Sequence, residues 1–413
     1  MKVLVLSFVL FLITVCCGQS VGNSTIPTLH NGLTEKIGNF SLELLYHTSK
    51  AQPKEKNLII SPITVWTILA VVAEGAVGNT LAQINNAIRL TRRTQDTTKM
   101  EYIDLAKWLQ VKTATIDLAK VNAMFIDQQR LPEQDFRDLA KNFYDTNLVA
   151  LDFSKAELAA DSLNKAIETA TRGRIPKLVS PELFSNSIMV LTSALYFKGQ
   201  WTVPFNSSST SKMPFYSSDG KKIGEVNMMY NRHTYPFANL KDLQARVIEL
   251  PYGQENRLSM LVMVPHPGVS LENMFFNFKN VTLDKVFTEL RIAREDYGED
   301  EVDCFLPRFK IESTIDMTET LRRQFGITDL FDSEQARLSK IARTPLYVSK
   351  MVHKAEIEVT EVGTVATGVT AAEFSNRFGV IRFEANRPFT YMIVERVTNS
   401  IVFGGFYQEP SLY

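Results

Sequence analysis

Apolar residues recur at helical spacing through residues 40–46, 65–76 and 80–90, which predicts three helices in the first third of the chain. Gly75 and Gly78 punctuate the second of these. The stretch 58–73 is more apolar still. It contains Pro62 and Thr64 and stops at Glu74, so it reads as a buried core helix and not as a membrane span. Residues 189–197 form a long apolar run with Val, Leu, Tyr and Phe, which suits a central strand buried on both faces. Further strands are predicted at 247–250, 258–264, 305–311, 346–352, 357–359 and 391–394. Helices first and strands later predict an α+β protein with large antiparallel sheets. No linker and no internal repeat divides the chain, so one domain is expected from about residue 30 to the end.

The N-terminus changes this picture. Lys2 is followed by an apolar run over residues 3–15, broken only by Ser7 and Thr14, and then by the small residues Cys16, Cys17 and Gly18. This pattern predicts a secretory signal peptide over residues 1–18 and a soluble, extracellular mature chain over 19–413. Cys304 is then the only cysteine left, so no intramolecular disulfide is expected and a large core must hold the fold. Cys304 lies in the strand-like stretch 302–306 and reads as a buried small apolar residue. Sequons at Asn23, Asn39, Asn206 and Asn280 fit the extracellular route.

Composition removes several function classes. The 413 residues carry 45% apolar and 22% charged side chains and a formal net charge of zero, which argues against a general nucleic-acid binder and a polybasic membrane adaptor. There is no G-x-S-x-G elbow, no glycine-rich phosphate loop and no H-E-x-x-H helix. The five histidines are dispersed, with no pair at metal-ligand spacing. Neither an enzyme nor a metal or other cofactor is expected. Arg89, Arg92 and Arg93 read as the solvated end of a helix, where cations meet the dipole favourably.

Several segments, taken together and in order, carry a resemblance. They include 57–64 with Glu74-Gly75-Ala76, the turn Thr171-Arg172-Gly173-Arg174-Ile175, and Tyr196-Phe197-Lys198-Gly199 with Trp201 and Phe205. Glu249-Leu250-Pro251-Tyr252, Leu306-Pro307-Arg308-Phe309 and 325–331 follow. The segment 348–355, Arg387-Pro388-Phe389 and Phe403-Gly404 complete the set. The chain resembles the serpin family over essentially its whole mature length.

The resemblance implies three β-sheets, eight or nine helices and an exposed reactive-centre loop, here about 361–388. It implies a suicide mechanism, in which a serine protease attacks the loop and the cleaved loop inserts into the main sheet and traps the acyl-enzyme. The hinge is then Glu361, Val362, Gly363, Thr364, Val365, Ala366, Thr367, Gly368, Val369 and Thr370. Counting sixteen residues on from Glu361 places the cleaved bond at Arg377-Phe378, and Arg377 suits a trypsin-like serine protease. Ser61, Thr64, Ser193, His353 and Trp201 fall where the main sheet opens, with Ser193 standing where the family usually has asparagine. Alternate hinge residues from Thr364 are all small, whereas Val362, Val365 and Val369 depart from the family's inhibitory pattern. A non-inhibitory carrier, storage protein or protease substrate is therefore the alternative. The bait Asn376-Arg377-Phe378-Gly379 resembles the activation site of arthropod prophenoloxidases, which suggests a clip-domain protease of the melanisation cascade as covalent partner of a monomeric inhibitor.

Overall fold

The computed structural model describes residues 32–53, 56–91, 95–111, 113–255, 257–278, 281–297, 300–363 and 381–413. Its first half runs α1 (Gly32–Ala51), β1 (Leu58–Ile60), α2 (Pro62–Gly75), α3 (Gly78–Ala87), α4 (Gln95–Leu109), β2 (Ile116–Asp127), α5 (Gln134–Tyr144), β3 (Thr146–Leu151), α6 (Ala156–Ala170) and β4 (Met189–Gly199). It continues with β5 (Ser211–Tyr216), β6 (Lys222–His233), β7 (Phe237–Leu240), β8 (Ala245–Tyr252), β9 (Leu258–Pro265), α7 (Leu271–Asn277) and α8 (Leu283–Tyr297). The last part is β10 (Val302–Pro307), β11 (Phe309–Asp316), α9 (Thr318–Gln324), β12 (Lys350–Val359), β13 (Ile381–Glu384), β14 (Phe389–Glu395) and β15 (Ser400–Tyr407).

The described strands form three sheets. A six-stranded sheet has the order β1-β15-β14-β9-β8-β7, a four-stranded one β13-β10-β6-β5, and a five-stranded one β11-β12-β4-β2-β3. Helix α2 is buried along its whole length, and it shares the principal core with the six-stranded sheet and with one face of the five-stranded sheet. An all-round apolar helix has no solvent face to offer and so sits inside. A second cluster lies on the other face of the five-stranded sheet, where Leu163 and Ile167 of α6 cover Val121, Val190 and Val352. Strand β4 is therefore enclosed from both sides, as its apolar run predicts. Among the described residues no helix is long and apolar enough to cross a membrane.

Four local expectations are corrected. The helix predicted over 58–73 starts only at Pro62, and Leu58–Ile60 pairs as a strand with β15. Proline fits the first turn, where its missing N–H costs nothing. The single strand predicted over 305–311 is two strands in two sheets, divided at Arg308. The two strands predicted at 346–352 and 357–359 are one, β12. Leu346 and Val348 are buried, yet they precede it, so apolarity there reports burial and not extension. Helices and strands are also less segregated along the chain than their periodicity suggests: β2 and β3 fall among the early helices, and α7, α8 and α9 among the later strands.

Gly405 shows how tightly the six-stranded sheet closes. It lies opposite Ile59 on one side and Tyr391 on the other. A Cβ there would overlap the Leu58 carbonyl and lie 2.5 Å from the Tyr391 hydroxyl. Gly405→Ala is expected to cost about 1–3 kcal/mol by forcing the strands apart, read as a lower thermal midpoint at fixed scan rate. Gly38→Ala, where an added methyl meets nothing within 4 Å, leaves the midpoint unchanged or raises it.

Candidate functional site

In the middle of the five-stranded sheet, β12 and β4 run parallel, in register from Lys350 opposite Val190 to Ile357 opposite Phe197. Beyond Val359 and Gly199 the two chains are held by a short clasp. The Trp201 amide donates to the Val362 carbonyl at 3.3 Å, and the Phe205 amide donates to the Glu361 carbonyl at 2.7 Å. The Trp201 indole N–H donates to the Thr360 carbonyl at 2.8 Å. Trp201 is itself fixed by stacking on Tyr252 at 4.2 Å.

The segment that the resemblance marks as a hinge begins in this clasp. Thr360 to Gly363 form a turn, closed by the Gly363 amide on the Thr360 carbonyl at 3.1 Å. Gly363 has φ +79°, and a Cβ there would lie 2.6 Å from Trp201 N, so only glycine fits. Glu361 is 6% exposed. Its carboxylate accepts from the Thr210 hydroxyl at 2.7 Å and pairs with Arg308 at 3.5 Å. Arg308 is the residue at which the chain changes sheets, so Glu361 is tied to that crossing. Val362 contributes its carbonyl to the clasp and is half-buried. Thr364, Val365, Ala366, Thr367, Gly368, Val369, Thr370 and the bond Arg377-Phe378 lie outside the described residues.

A second group stitches the same strand pair nearer its start. His353 of β12 is fully buried, opposite Ser193 of β4. The Ser61 amide donates to His353 Nε2 at 2.9 Å, and His353 Nδ1 lies 2.7 Å from the Ser193 hydroxyl. A backbone amide can only donate, so Nε2 is the acceptor and the proton sits on Nδ1, pointing to Ser193. Burial pushes the imidazole down from 6.5 to about 3, so the ring is neutral. The Ser61 hydroxyl donates to the Val402 carbonyl of β15 at 2.8 Å, and the Thr64 hydroxyl donates to the Ser61 carbonyl at 2.9 Å. The structure thus brings Ser61, Thr64, Ser193 and His353 together and places Trp201 apart from them, in the clasp.

Sequence reasoning missed three participants. Thr210 and Arg308 hold Glu361, and nothing local in the sequence marks them. Asn122 of β2 lies opposite Ser193 and next to Thr146 of β3, extending the polar row across the sheet. It is 1% exposed, and neither its Oδ1 nor its Nδ2 has a hydrogen-bond partner. The available signal was an uncharged polar residue between Val121 and Ala123 in an apolar strand.

Other sequence candidates are placed as follows. Asn39 is half-buried on α1. Asn206 is half-buried and accepts from the Ser208 amide at 2.9 Å. Asn23 and Asn280 lie outside the described residues, as do Arg92 and Arg93. Arg89 pairs with Glu43 at 2.6 Å. Cys304 is buried in β10, where burial pushes its thiol pKa up and keeps the sulfur protonated. Among the described residues no cluster of His, Cys, Asp or Glu could hold a metal ion.

The serpin (serine protease inhibitor) family model matches residues 35–410. Human serpin B3 is 31% identical over 405 residues, covering 92% of this chain and all of that protein. A serine protease inhibitor of Cyanea capillata is 32% identical over 360 residues, covering 86% of this chain and 93% of that one. The crystal structure of Manduca sexta serine protease inhibitor (serpin)-12 superposes with a TM-score of 0.78 at 25% identity, covering 92% of this chain and 99% of that one. The chain belongs to the serpin family, whose members are mostly protease inhibitors and not enzymes.

Two predictions come from this cluster. The unfolded state binds a proton at His353 near pH 6.5, whereas the folded state does so only near pH 3. The contribution is therefore complete above pH 6.5 and is lost as pH falls toward 3. Between pH 7 and 5 it should amount to about 2 kcal/mol. The thermal midpoint is expected to fall over that interval, and His353→Gln to flatten the fall. Asn122→Leu keeps the side-chain shape and removes an unpaired buried amide, so it should raise the thermal midpoint, equivalent to about 1–3 kcal/mol.

Proposed function

We propose that this serpin is a secreted, monomeric inhibitor of a trypsin-like serine protease, with Arg377-Phe378 as the bond it offers. The observation that carries the reading is the pairing of β12 with β4. The chain segment holding Arg377 leaves directly from the end of β12 and returns in β13, on a different sheet. A segment cut between two such anchors has its N-terminal part attached beside the β4–β12 seam. The relatives' description as serine protease inhibitors supports the same reading.

In this reading the protease serine adds to the Arg377 carbonyl. The Arg377-Phe378 amide bond breaks, the serine proton passes through the protease's base to the new amine of Phe378, and Arg377 is left as an ester on the serine. Water would complete hydrolysis and free the protease. Release of the clasp at Trp201 and parting of β4 from β12 let residues after Gly363 enter the sheet as a new strand, carrying the ester-linked protease away before water attacks. The arginine guanidinium fits an acidic specificity pocket by a bidentate ion pair. The apolar run over residues 3–15 after Lys2 supports secretion. The bait Asn376-Arg377-Phe378-Gly379 supports a protease that activates prophenoloxidase, of the clip-domain type, and hence control of melanisation as part of innate immunity.

Incubation with trypsin should give an SDS-stable complex and a released fragment Phe378–Tyr413 by mass spectrometry, and Arg377→Ala should abolish both. Clean cleavage with no complex would sink the inhibitory reading and favour a substrate or carrier serpin, as Val362, Val365 and Val369 would then have slowed insertion. The finer reading requires a prophenoloxidase-activating protease to be inhibited faster than digestive trypsin.

A further inference from the structure

A cavity of about 140 Å³ lies where the edge of the four-stranded sheet meets the six-stranded sheet, and it shares no lining residue with the clasp or the His353 cluster. Its charged lining is Arg246 of β8, His266 just after β9, Arg382 and Glu384 of β13, and Arg387 just before β14. Three guanidinium groups thus face one carboxylate. That carboxylate is committed, since Arg382 Nε donates to Glu384 Oε1 at 2.6 Å and the Asn386 amide reaches its other oxygen at 3.3 Å. Arg382 is further occupied by lying over the Phe305 ring at 4.6 Å.

Arg246 and Arg387 have no acidic partner within ion-pair distance among the described residues. Arg387 Nε is buried with no hydrogen-bond partner. Burial and the neighbouring Arg246 depress the Arg387 pKa, against a smaller opposing pull from Glu384. Burial, Arg246 and Arg387 depress that of His266. His266 contacts the Asn239 side-chain oxygen at 2.7 Å through Nε2, which fixes the ring at the cavity wall. Two like charges held together, one of them half-buried, are unfavourable unless an anion sits between them.

We propose that this cavity binds one compact, multiply charged free oxyanion of the inorganic phosphate or sulfate class, held by the Arg246 and Arg387 guanidinium forks. Two arginines without an ion-pair partner favour a multiply charged anion, and their planar donors match tetrahedral oxyanions. The volume is several times the ~30 Å³ that a water takes in the liquid, enough for one such ion. The position gives binding a structural consequence. Among the described strands β13 is an edge strand that pairs only with β10, in parallel, from Val302 opposite Ile381 to Phe305 opposite Glu384. An anion shared by Arg387, which follows β13, and Arg246 of β8 would tie that edge to the six-stranded sheet.

The test is titration of the full chain with inorganic phosphate in the millimolar range, against chloride at matched ionic strength, read by thermal midpoint and isothermal calorimetry. A saturating rise of the midpoint with phosphate and a stoichiometry near one are expected. Arg246→Ala, an exposed position that should not disturb folding, is expected to weaken the apparent affinity at least tenfold, as is Arg387→Gln. General stabilisation by excluded salts would act equally on the variants. Equal shifts with chloride, or an undiminished phosphate response in Arg246→Ala, would overturn the proposal. Displacement of phosphate by an equal concentration of a sulfated disaccharide would also overturn it, in favour of a saccharide-borne anion.

Discussion

The structure depends on one seam, the parallel pairing of β4 with β12. Strand β4 is buried on both faces, by the principal core on one side and by α6 on the other. Such a strand would ordinarily be among the least separable parts of a fold. Here its partner is held by backbone hydrogen bonds, by the polar contact of His353 with Ser193, and by three donors from Trp201 and Phe205 at the far end. Hydrogen bonds between neutral groups contribute only about 0.5–1.5 kcal/mol net each. Their geometry is strict, so the seam is precisely registered without being welded.

The family and the reach of its fold were legible because ordered segments such as Tyr196-Phe197-Lys198-Gly199 and Leu306-Pro307-Arg308-Phe309 are spread along the whole chain. Strand β4 was legible for a simpler reason, since enclosure on both faces makes hydrophobicity continuous. The strand β11 carries the opposite signature: Phe309, Ile311, Ser313 and Ile315 are buried and the residues between them exposed. Its start is nonetheless not legible, because Phe305, Leu306 and Pro307 run on to Phe309 with only Arg308 between them while the chain passes from one sheet to another. Periodicity reports which side of a chain is covered, and not which sheet covers it. Similarly, Leu346 and Val348 are packed as deeply as strand residues while belonging to none.

The site was legible in its members and not in its connections. Ser61, Ser193 and His353 are separated by more than a hundred residues each, and only the fold reveals that the histidine bridges a helix N-terminus and a strand. The environment also decides what the histidine can do. In solution it would titrate near neutrality, and in this core it stays neutral over the physiological range, a fixed pivot and not a pH sensor. By sequence, Val362 falls with Val365 and Val369 among the departures from the family's inhibitory pattern. It sits in the Thr360–Gly363 turn, with its carbonyl on the Trp201 amide, and so takes part in holding the clasp.

The Ser193–Asn122 pair bears on how such a seam can be biased. The shorter serine still reaches His353 at 2.7 Å. The carboxamide that the family resemblance leads one to expect at 193 is found on the neighbouring strand, at Asn122, where it is buried and unpaired. An unpaired buried amide costs about 1–3 kcal/mol, and this cost falls on the closed sheet. In the proposed insertion, a strand entering between β4 and β12 would separate Ser193 from His353 and leave β4 and β2 neighbours, so Asn122 would keep its place opposite Ser193. The serine hydroxyl, released from the imidazole, then has a polar group across the register to turn to. The closed sheet carries the unsatisfied group and an opened sheet would be able to satisfy it, so under the proposed mechanism the polar row favours insertion while the clasp at Trp201 opposes it until the loop is cut.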